Sequence, residues 1–190
     1  MEAFALPESA MPAHVPLRPA ALLLAALLSL SAQATLKPGE SAPLFHTEAA
    51  VAGKAFAFDM AAALKKGPVV LYFFPKAFTQ GCTLEAHAFA EATPRFAAMG
   101  ATVVGMSHDD IATLKRFSAE ACRDQFAVAS DPGAATIKAY DAAAAANPER
   151  ADRISYVIGQ DGKVKFVHVG SDPLEHVERT QAAVKQLTGK

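Results

Sequence analysis

The sequence contains no tryptophan, only two cysteines in 190 residues, and few charged residues, which make up 19% of the chain. Its 18 Lys and Arg residues nearly balance its 19 Asp and Glu residues, and the formal net charge is -1. A surface that binds nucleic acid needs a basic face, which this composition does not supply. We therefore expect no nucleic-acid partner, and the length predicts one compact domain.

Long hydrophobic runs are also scarce. The apolar run over residues 20–30 is about half the ~20 residues that a membrane-spanning helix requires. Arg18 precedes this run, and small residues at Ala32 and Ala34 follow it, as in a signal peptide. The pattern favours cleavage after Ala34, and an uncleaved membrane anchor is the weaker alternative.

The predicted organisation is therefore a signal peptide over residues 1–34 and a folded domain over residues 35–190. Met11 is an alternative start, because the residues before it add nothing that a leader needs. We expect export, to the periplasm, with no stable membrane association after cleavage. An oxidising compartment would allow Cys82 and Cys122 to form a disulfide, either as a static staple or as a redox pair.

The clearest secondary-structure signal is the β-prone, continuously apolar run over residues 69–74, which predicts a buried central strand. A helix is predicted from Cys82 to Met99, kinked or split at Pro94. Further strands are predicted over residues 55–58, 101–106, 126–129, 154–158 and 164–169, and further helices over residues 60–66 with Asp59 as N-cap, 111–121, 133–140 and 174–187. Asp109 and Asp110 are both predicted to cap the helix that follows them.

Residues 142–150 form an alanine-rich tract, to which no strand or helix is assigned, and Asp161-Gly162 predicts a hairpin turn near the C-terminus. Strands and helices alternate along the chain and end in a hairpin and a helix. This order indicates an α/β fold with a central mixed sheet flanked by helices.

The candidate site is the loop between the predicted central strand and the long helix. It contains Pro75, Thr79, Gly81 and Cys82. A cysteine in the first turn of a helix lies near unpaired backbone N–H groups and the positive end of the helix dipole, which favour the nucleophilic thiolate. Pro75 rigidifies the loop, Gly81 permits close approach, and the Thr79 hydroxyl is available for hydrogen bonding. Each residue alone also has an ordinary structural explanation, so it is their combination that favours a catalytic site.

The arrangement of Pro75, Thr79 and Cys82 resembles the Pro-x-x-x-Thr-x-x-Cys loop of peroxiredoxins. The surrounding residues 71–76, 78–79 and 81–83 are most similar to the bacterioferritin-comigratory-protein or PrxQ branch. The resemblance implies a thioredoxin-like fold and a thiol-dependent peroxidase that reduces hydrogen peroxide and organic hydroperoxides, an antioxidant activity. Cys82 would attack the peroxide, and Arg153 would stabilise the thiolate and polarise the substrate.

The resemblance also implies a partner for the oxidised sulfur. The commonest pattern of the branch has a resolving cysteine five residues after the first, where this chain has His87. Some members place it in the later helix, which makes Cys122 the candidate. A one-cysteine mechanism with Cys122 inert is the alternative. For a disulfide to form, the helix start at Cys82 would have to unwind locally.

Other functions fit less well. A disulfide reductase needs Cys-x-x-Cys, and in a motif that begins at Cys82 the second cysteine is replaced by Glu85. We assign Glu85 no catalytic role. Metal binding by His87 and His108 with the cysteines fits no ordinary ligand spacing, and no cofactor is expected. The non-enzymatic alternative is an exported domain with a static Cys82–Cys122 disulfide. The resemblance further implies a thioredoxin-like or other thiol reductant and a monomer or weak dimer.

Overall fold

The structure is a computed structural model, and it describes residues 1, 2 and 35–190. Apart from Met1 and Glu2, the predicted signal peptide lies outside the described residues. The strands of the described part are β1 (His46–Val51), β2 (Lys54–Asp59), β3 (Val69–Phe73), β4 (Thr102–Ser107), β5 (Ala127–Ser130), β6 (Ala143–Ala144), β7 (Asn147–Ala151), β8 (Ile154–Ile158) and β9 (Val164–Val169). Its helices are α1 (Met60–Lys66), α2 (Gln80–Ala98), α3 (Ile111–Glu120), α4 (Ala135–Ala139) and α5 (Pro173–Thr188).

Seven strands form one sheet in the order β2-β1-β5-β4-β3-β8-β9. Strand β4 pairs in parallel with both β3 and β5, whereas β8 pairs antiparallel with both β3 and β9. The predicted α/β class and mixed sheet are therefore confirmed, as is the hairpin that joins β8 to β9. In the described residues, no helix is both long enough and apolar enough to cross a membrane.

Strand β3 divides the core between the two faces of the sheet. All five of its residues are buried, and successive side chains of a strand point to opposite faces. Leu71 and Phe73 pack with residues of α1 and α4 on one face. Tyr72 and Phe74 pack with residues of α2, α3 and α5 on the other face. The continuous apolar run in the sequence thus reflects a strand that is covered on both sides.

Several local predictions are confirmed. The Asp59 carboxylate accepts a hydrogen bond from the Ala62 amide at 3.1 Å and caps α1. Helix α2 begins at Gln80, two residues earlier than predicted, and places Cys82 in its first turn. Asp110 caps α3 by accepting from the amide of Thr113.

Other predictions are wrong. Pro94 does not split α2, which continues through it as one helix; the kink that was the alternative at Pro94 stays a prediction. The alanine-rich tract contains β6 and β7, which pair as a small antiparallel hairpin. Strand β1 was not predicted, because its alanine-rich sequence carries little β signal. Asp109 does not cap α3, since its side chain bonds to the loop before Cys82.

Gly105 in β4 provides a test of the core packing. A Cβ at this position would lie 2.7 Å from Cζ of the Tyr72 ring. That ring is itself stacked on Phe89, with centroids 4.4 Å apart, and has little room to move. We expect Gly105→Ala to lower the free energy of unfolding by about 1–3 kcal/mol, the usual effect of overpacking, measured by urea denaturation.

Gly133→Ala is the matched control, because no heavy atom of the described residues lies within 4 Å of a Cβ built there. We expect it to change stability by about 0.5 kcal/mol or less. Equal effects of the two variants would contradict the close packing of Tyr72 against β4.

Candidate active site

The candidate site lies where β3 ends and α2 begins. The loop from Pro75 to Thr79 connects them, and Thr79 occupies the N-cap position of α2 with an extended backbone. The first N–H groups of a helix have no acceptor within the helix, and the Thr79 side chain does not bond to them. These amides, which include those of Gly81 and Cys82, are therefore oriented to receive an oxygen or a negatively charged sulfur.

Cys82 is buried, with 1% of its surface exposed, and its sulfur is a free thiol. Arg153 Nη2 donates a hydrogen bond to Cys82 Sγ at 3.5 Å. Arg153 immediately precedes β8, and the structure brings it to Cys82 from far along the chain. The positive guanidinium and the N-terminus of α2 therefore both lie against this sulfur.

Glu85 is a part of the site that the sequence did not reveal. It is fully buried, and its Oε2 accepts a hydrogen bond from Arg153 Nη1. Arg153 therefore lies between a carboxyl group and a sulfur that both come from α2. The spacing of three residues from Cys82, which places both side chains on one helix face, was the available signal. With the helix predicted to start at Cys82, Glu85 was expected in the first turn, where acids are usually solvent-exposed, whereas α2 begins at Gln80 and places Glu85 beyond that turn.

The ionisation of Glu85 is shifted by its surroundings. Burial raises the pKa of Glu85 from 4.5 to about 8, and the nearby Arg153 charge only partly opposes this rise. Its Oε1 has no hydrogen-bond partner in the described residues, and the contact with Arg153 is made by Oε2. With Glu85 neutral, the positive charge of Arg153 is left for the sulfur of Cys82.

Pro75 and Thr79 occupy different parts of the site. Pro75 is partly buried and lies beside Arg153 in a surface depression of about 380 Å³. Thr79 is exposed, and its hydroxyl donates to the carbonyl oxygen of Lys76 at 3.1 Å. No hydrogen bond joins Thr79 to Cys82 in the described part of the chain, so the hydroxyl keeps its acceptor lone pairs free beside the helix start.

A surface depression lies next to Arg153, and Cys82 is not among the residues that line it. It is lined by Pro75, Asp152, Arg153, Val169, Gly170 and Ser171. A larger cavity of about 580 Å³ lies among residues of β2, α1 and β4, and it contains none of the candidate site residues. The smaller depression is the one that belongs to the candidate site, because the guanidinium that contacts Cys82 forms part of its wall.

Asp109 holds the loop in place. Its Oδ2 accepts from the Ala77 amide at 2.7 Å and from the Ser107 hydroxyl at 2.8 Å, and all three residues are buried. The loop before Cys82 is thus tied to the end of β4 by a carboxylate. The sequence prediction that Asp109 caps a helix is wrong because the neighbouring Asp110 fills that position.

Cys122 lies just beyond α3 and is also a free, fully buried thiol. It belongs to the same apolar cluster as Cys82. Burial strongly raises the pKa of the Cys122 thiol, and the nearby Asp124 raises it further. The structure thus contains both cysteines in the reduced form, and Cys122 is much less ready to ionise than an exposed thiol. Among the described residues, no three His, Cys, Asp or Glu side chains form a group that could hold a metal ion.

The raised pKa of Glu85 predicts a specific pH dependence. Between about pH 4.5 and pH 8 the folded protein binds a proton at Glu85 that the unfolded chain does not, so the free energy of unfolding falls as pH rises through this interval. Glu85→Gln is neutral at every pH and should remove this part of the decline. Urea denaturation at about pH 5, 6.5 and 8 measures the slope.

The control is Glu91→Gln, which removes an exposed carboxylate that pairs with Arg123 at 3.0 Å and should leave the slope unchanged. An identical slope in Glu85→Gln and the unsubstituted protein would contradict a protonated Glu85.

Comparison with known proteins places the chain in a family. The sequence profile of the AhpC/TSA family matches residues 38–167. Two similar curated proteins are "Peroxiredoxin Q, chloroplastic" from Triticum aestivum, 33% identical, and the protein of the same name from Populus jackii, 34% identical. Each alignment covers 65% of this chain, and 57% and 58% of the wheat and poplar proteins respectively. The chain thus spans a little over half the length of these relatives.

Solved structures agree with this assignment. Peroxidoxin BcpB from Mycobacterium tuberculosis has a TM-score of 0.72 and 26% sequence identity, covering 80% of this chain and 98% of that protein. AhpC from Mycobacterium tuberculosis has the same TM-score at 19% identity, covering 81% and 94% of the two chains, and shows the fold alone. The thioredoxin-like fold implied by the sequence is confirmed. The chain belongs to the AhpC/TSA family, and its similarity to peroxiredoxin Q proteins supports the branch that the sequence predicted.

Proposed function

We propose that this protein is a thiol-dependent peroxidase in which Cys82 attacks the peroxide. The observation that carries the proposal is the hydrogen bond from Arg153 Nη2 to Cys82 Sγ at 3.5 Å, at the first turn of α2. Membership of the peroxiredoxin family supports the same chemistry. Hydrogen peroxide and organic hydroperoxides are the proposed substrates.

The proposed first step uses groups that already surround the sulfur. The Cys82 thiolate attacks one peroxide oxygen, the O–O bond breaks, and the other oxygen leaves as an alkoxide or hydroxide that takes up a proton. Cys82 becomes a sulfenic acid. Arg153 and the free amides at the start of α2 would stabilise the negative charge that develops on the leaving oxygen. Pro75 and Thr79 would shape the loop around the substrate, with Thr79 offering its hydroxyl as a hydrogen-bond partner.

We propose that Cys122 resolves the sulfenic acid by forming a disulfide with Cys82. The two thiols lie in one apolar cluster, and local unwinding at the start of α2 would bring their Cα atoms within the ~7 Å that a disulfide tolerates. A thioredoxin-like or other thiol reductant would then restore both cysteines. If Cys122 is inert, the reductant would act on the sulfenic acid directly.

Two cysteine variants test the proposal. Cys82→Ser should abolish peroxide consumption, because a serine hydroxyl is not ionised near neutral pH and is a poor nucleophile. Cys122→Ser should still consume about one equivalent of peroxide in forming the Cys82 sulfenic acid, which should accumulate, and a further equivalent wherever that acid is over-oxidised to the sulfinic acid. Peroxide consumption and intact-mass spectrometry of the oxidised protein give the two readouts.

Ala121→Ser is the control for Cys122→Ser, since it introduces the same hydroxyl at a neighbouring buried position. We expect it to keep both turnover and disulfide formation. Normal turnover in Cys82→Ser would refute the peroxidase proposal, and normal turnover in Cys122→Ser with a thiol reductant would favour the one-cysteine mechanism.

We also propose that residues 1–34 direct export to the periplasm. Arg18, the apolar run over residues 20–30 and the small residues Ala32 and Ala34 support this proposal. When the full chain is expressed in a Gram-negative bacterium, N-terminal sequencing of the periplasmic protein should begin at Thr35. Leu24→Arg, which interrupts the apolar run, should keep the precursor in the cytoplasm. Retention of the unsubstituted chain with its full N-terminus would contradict the proposal.

A further inference from the structure

The hydroxyl group of Tyr72 is buried without a hydrogen-bond partner. Only 1% of Tyr72 is exposed, and its oxygen has no partner among the described residues. Leaving a buried hydroxyl unpaired is unfavourable, and such groups in folded proteins call for an explanation. The other two buried tyrosines do not share this property, because Tyr140 donates to the Pro43 carbonyl and Tyr156 donates to the Tyr140 carbonyl.

The packing around Tyr72 fixes where its hydroxyl lies. The ring is stacked on Phe89 of α2 at 4.4 Å and meets Phe126 edge-on at 5.9 Å. The oxygen lies over β4, since a Cβ on Gly105 would come within 2.8 Å of it. Phe126 follows Cys122 by four residues, so the phenol occupies the layer between the sheet and the segment that carries Cys122.

Charged groups of the site act on this hydroxyl. Burial raises the pKa of Tyr72 well above its ordinary value; a negative charge on Cys122, Glu85 or Cys82 would raise this pKa further, and the nearby Arg153 cation lowers it. The phenol therefore keeps its proton and remains a hydrogen-bond donor throughout the physiological pH range. Tyr72, Cys82 and Cys122 belong to the same packed cluster on one face of the sheet, so the phenol shares the surroundings of both sulfurs.

Cys122 needs such a donor if it reacts. Its thiol must ionise before it attacks, and burial opposes that ionisation. Among its neighbours, Asp124 makes ionisation harder. Arg123 is exposed and its guanidinium pairs with Glu91 at 3.0 Å. The phenol of Tyr72, in the same cluster as Cys122, is a buried hydroxyl that has no partner among the described residues.

We propose that the Tyr72 hydroxyl donates a hydrogen bond to the Cys122 sulfur as that sulfur ionises to attack the sulfenic acid of Cys82. This inference rests on the proposed peroxidase function and on Cys122 as the resolving cysteine. In the step, the Cys122 thiolate forms the S–S bond, and the S–O bond of the sulfenic acid breaks. The leaving hydroxide combines with the proton lost by Cys122 and departs as water.

The position of Tyr72 on the sheet suits this role. Strand β3 is paired on both sides, with β4 and β8, so the phenol stays in place while the first turn of α2 unwinds. The donor is therefore fixed in the part of the site that does not move. In the reduced protein, where Cys122 is a neutral thiol, the hydroxyl has no strong acceptor and stays unpaired.

Tyr72→Phe tests the inference, because it removes only the oxygen. In the full-length protein, we expect formation of the Cys82 sulfenic acid, followed in single-turnover reactions with hydrogen peroxide and a sulfenic-acid probe, to proceed at the normal rate. Formation of the disulfide, followed by quenched-flow mass analysis, should slow about tenfold, since a hydrogen bond to a charged group is lost in the transition state. The melting temperature should stay the same or rise, because an unpaired buried hydroxyl is removed.

Tyr140→Phe is the matched control. It removes a hydroxyl that donates to the Pro43 carbonyl at 2.8 Å, so the melting temperature should fall while both chemical rates stay normal. The two variants therefore have opposite patterns if Tyr72 acts on the chemistry. A general effect of losing a buried hydroxyl would slow the disulfide step in both.

The remaining outcomes distinguish a failure of the Tyr72 inference from a failure of the peroxidase proposal. A normal rate of disulfide formation in Tyr72→Phe, with normal sulfenic acid formation, would overturn the role of Tyr72 alone. A lower melting temperature with unchanged rates would assign the hydroxyl a structural role instead. Absence of sulfenic acid in the unsubstituted protein would overturn the peroxidase proposal and this inference with it.

Discussion

The contact between the guanidinium of Arg153 and the sulfur of Cys82 is the interaction on which the site depends. The sheet creates it through strand register. Phe73 at the end of β3 pairs with Ile154 at the start of antiparallel β8, so the residue before β8 and the loop after β3 meet at the same sheet edge. Gly81 allows the final approach, because a Cβ there would lie 3.1 Å from Arg153 Nη2.

Burial influences which of the groups around Arg153 carries a charge. Arg153 faces one group that can become an anion, Cys82, and a second, Glu85, whose burial favours its neutral form. If both groups were charged, the guanidinium would divide its interaction between them. A protonated carboxyl still accepts a hydrogen bond and fixes the guanidinium, but competes less for its charge. In this arrangement Glu85 positions the guanidinium of Arg153, and the positive charge of the guanidinium is left for Cys82.

The sequence predicted the parts of the structure that depend on local pattern. Strand β3, the start of α2 and the β8–β9 hairpin follow from apolar runs and turn residues. The pairing of Arg153 with Cys82 came from resemblance to peroxiredoxins, since no periodicity relates residues that far apart. Glu85 was missed because its burial depends on packing between α2 and the sheet, which its own neighbours in sequence do not encode.

Other failures have equally specific causes. Asp109 and Asp110 are adjacent and chemically identical, and only the path of the backbone decides that Asp110 caps α3 while Asp109 binds the Ala77 amide. The hairpin of β6 and β7 was missed because an alanine-rich tract has low strand propensity, and its pairing is supplied by neighbouring structure. The unpaired hydroxyl of Tyr72 likewise becomes visible only when all its neighbours are known.

The loop before Cys82 contains one residue with a strained, left-handed backbone. Ala77 is anchored by Asp109, and the next residue, Phe78, has a left-handed backbone with φ of 63°, which is unfavourable for a side chain with a Cβ. Its ring is held against Phe117 at 5.2 Å and beneath the Arg116 guanidinium at 5.1 Å. Backbone rotation at Phe78 would change the position of the residues that follow it, including the start of α2, while Ala77 stays bound to Asp109. Cys82 follows Phe78 by only four residues, so this short segment limits how far the Cys82 sulfur can move.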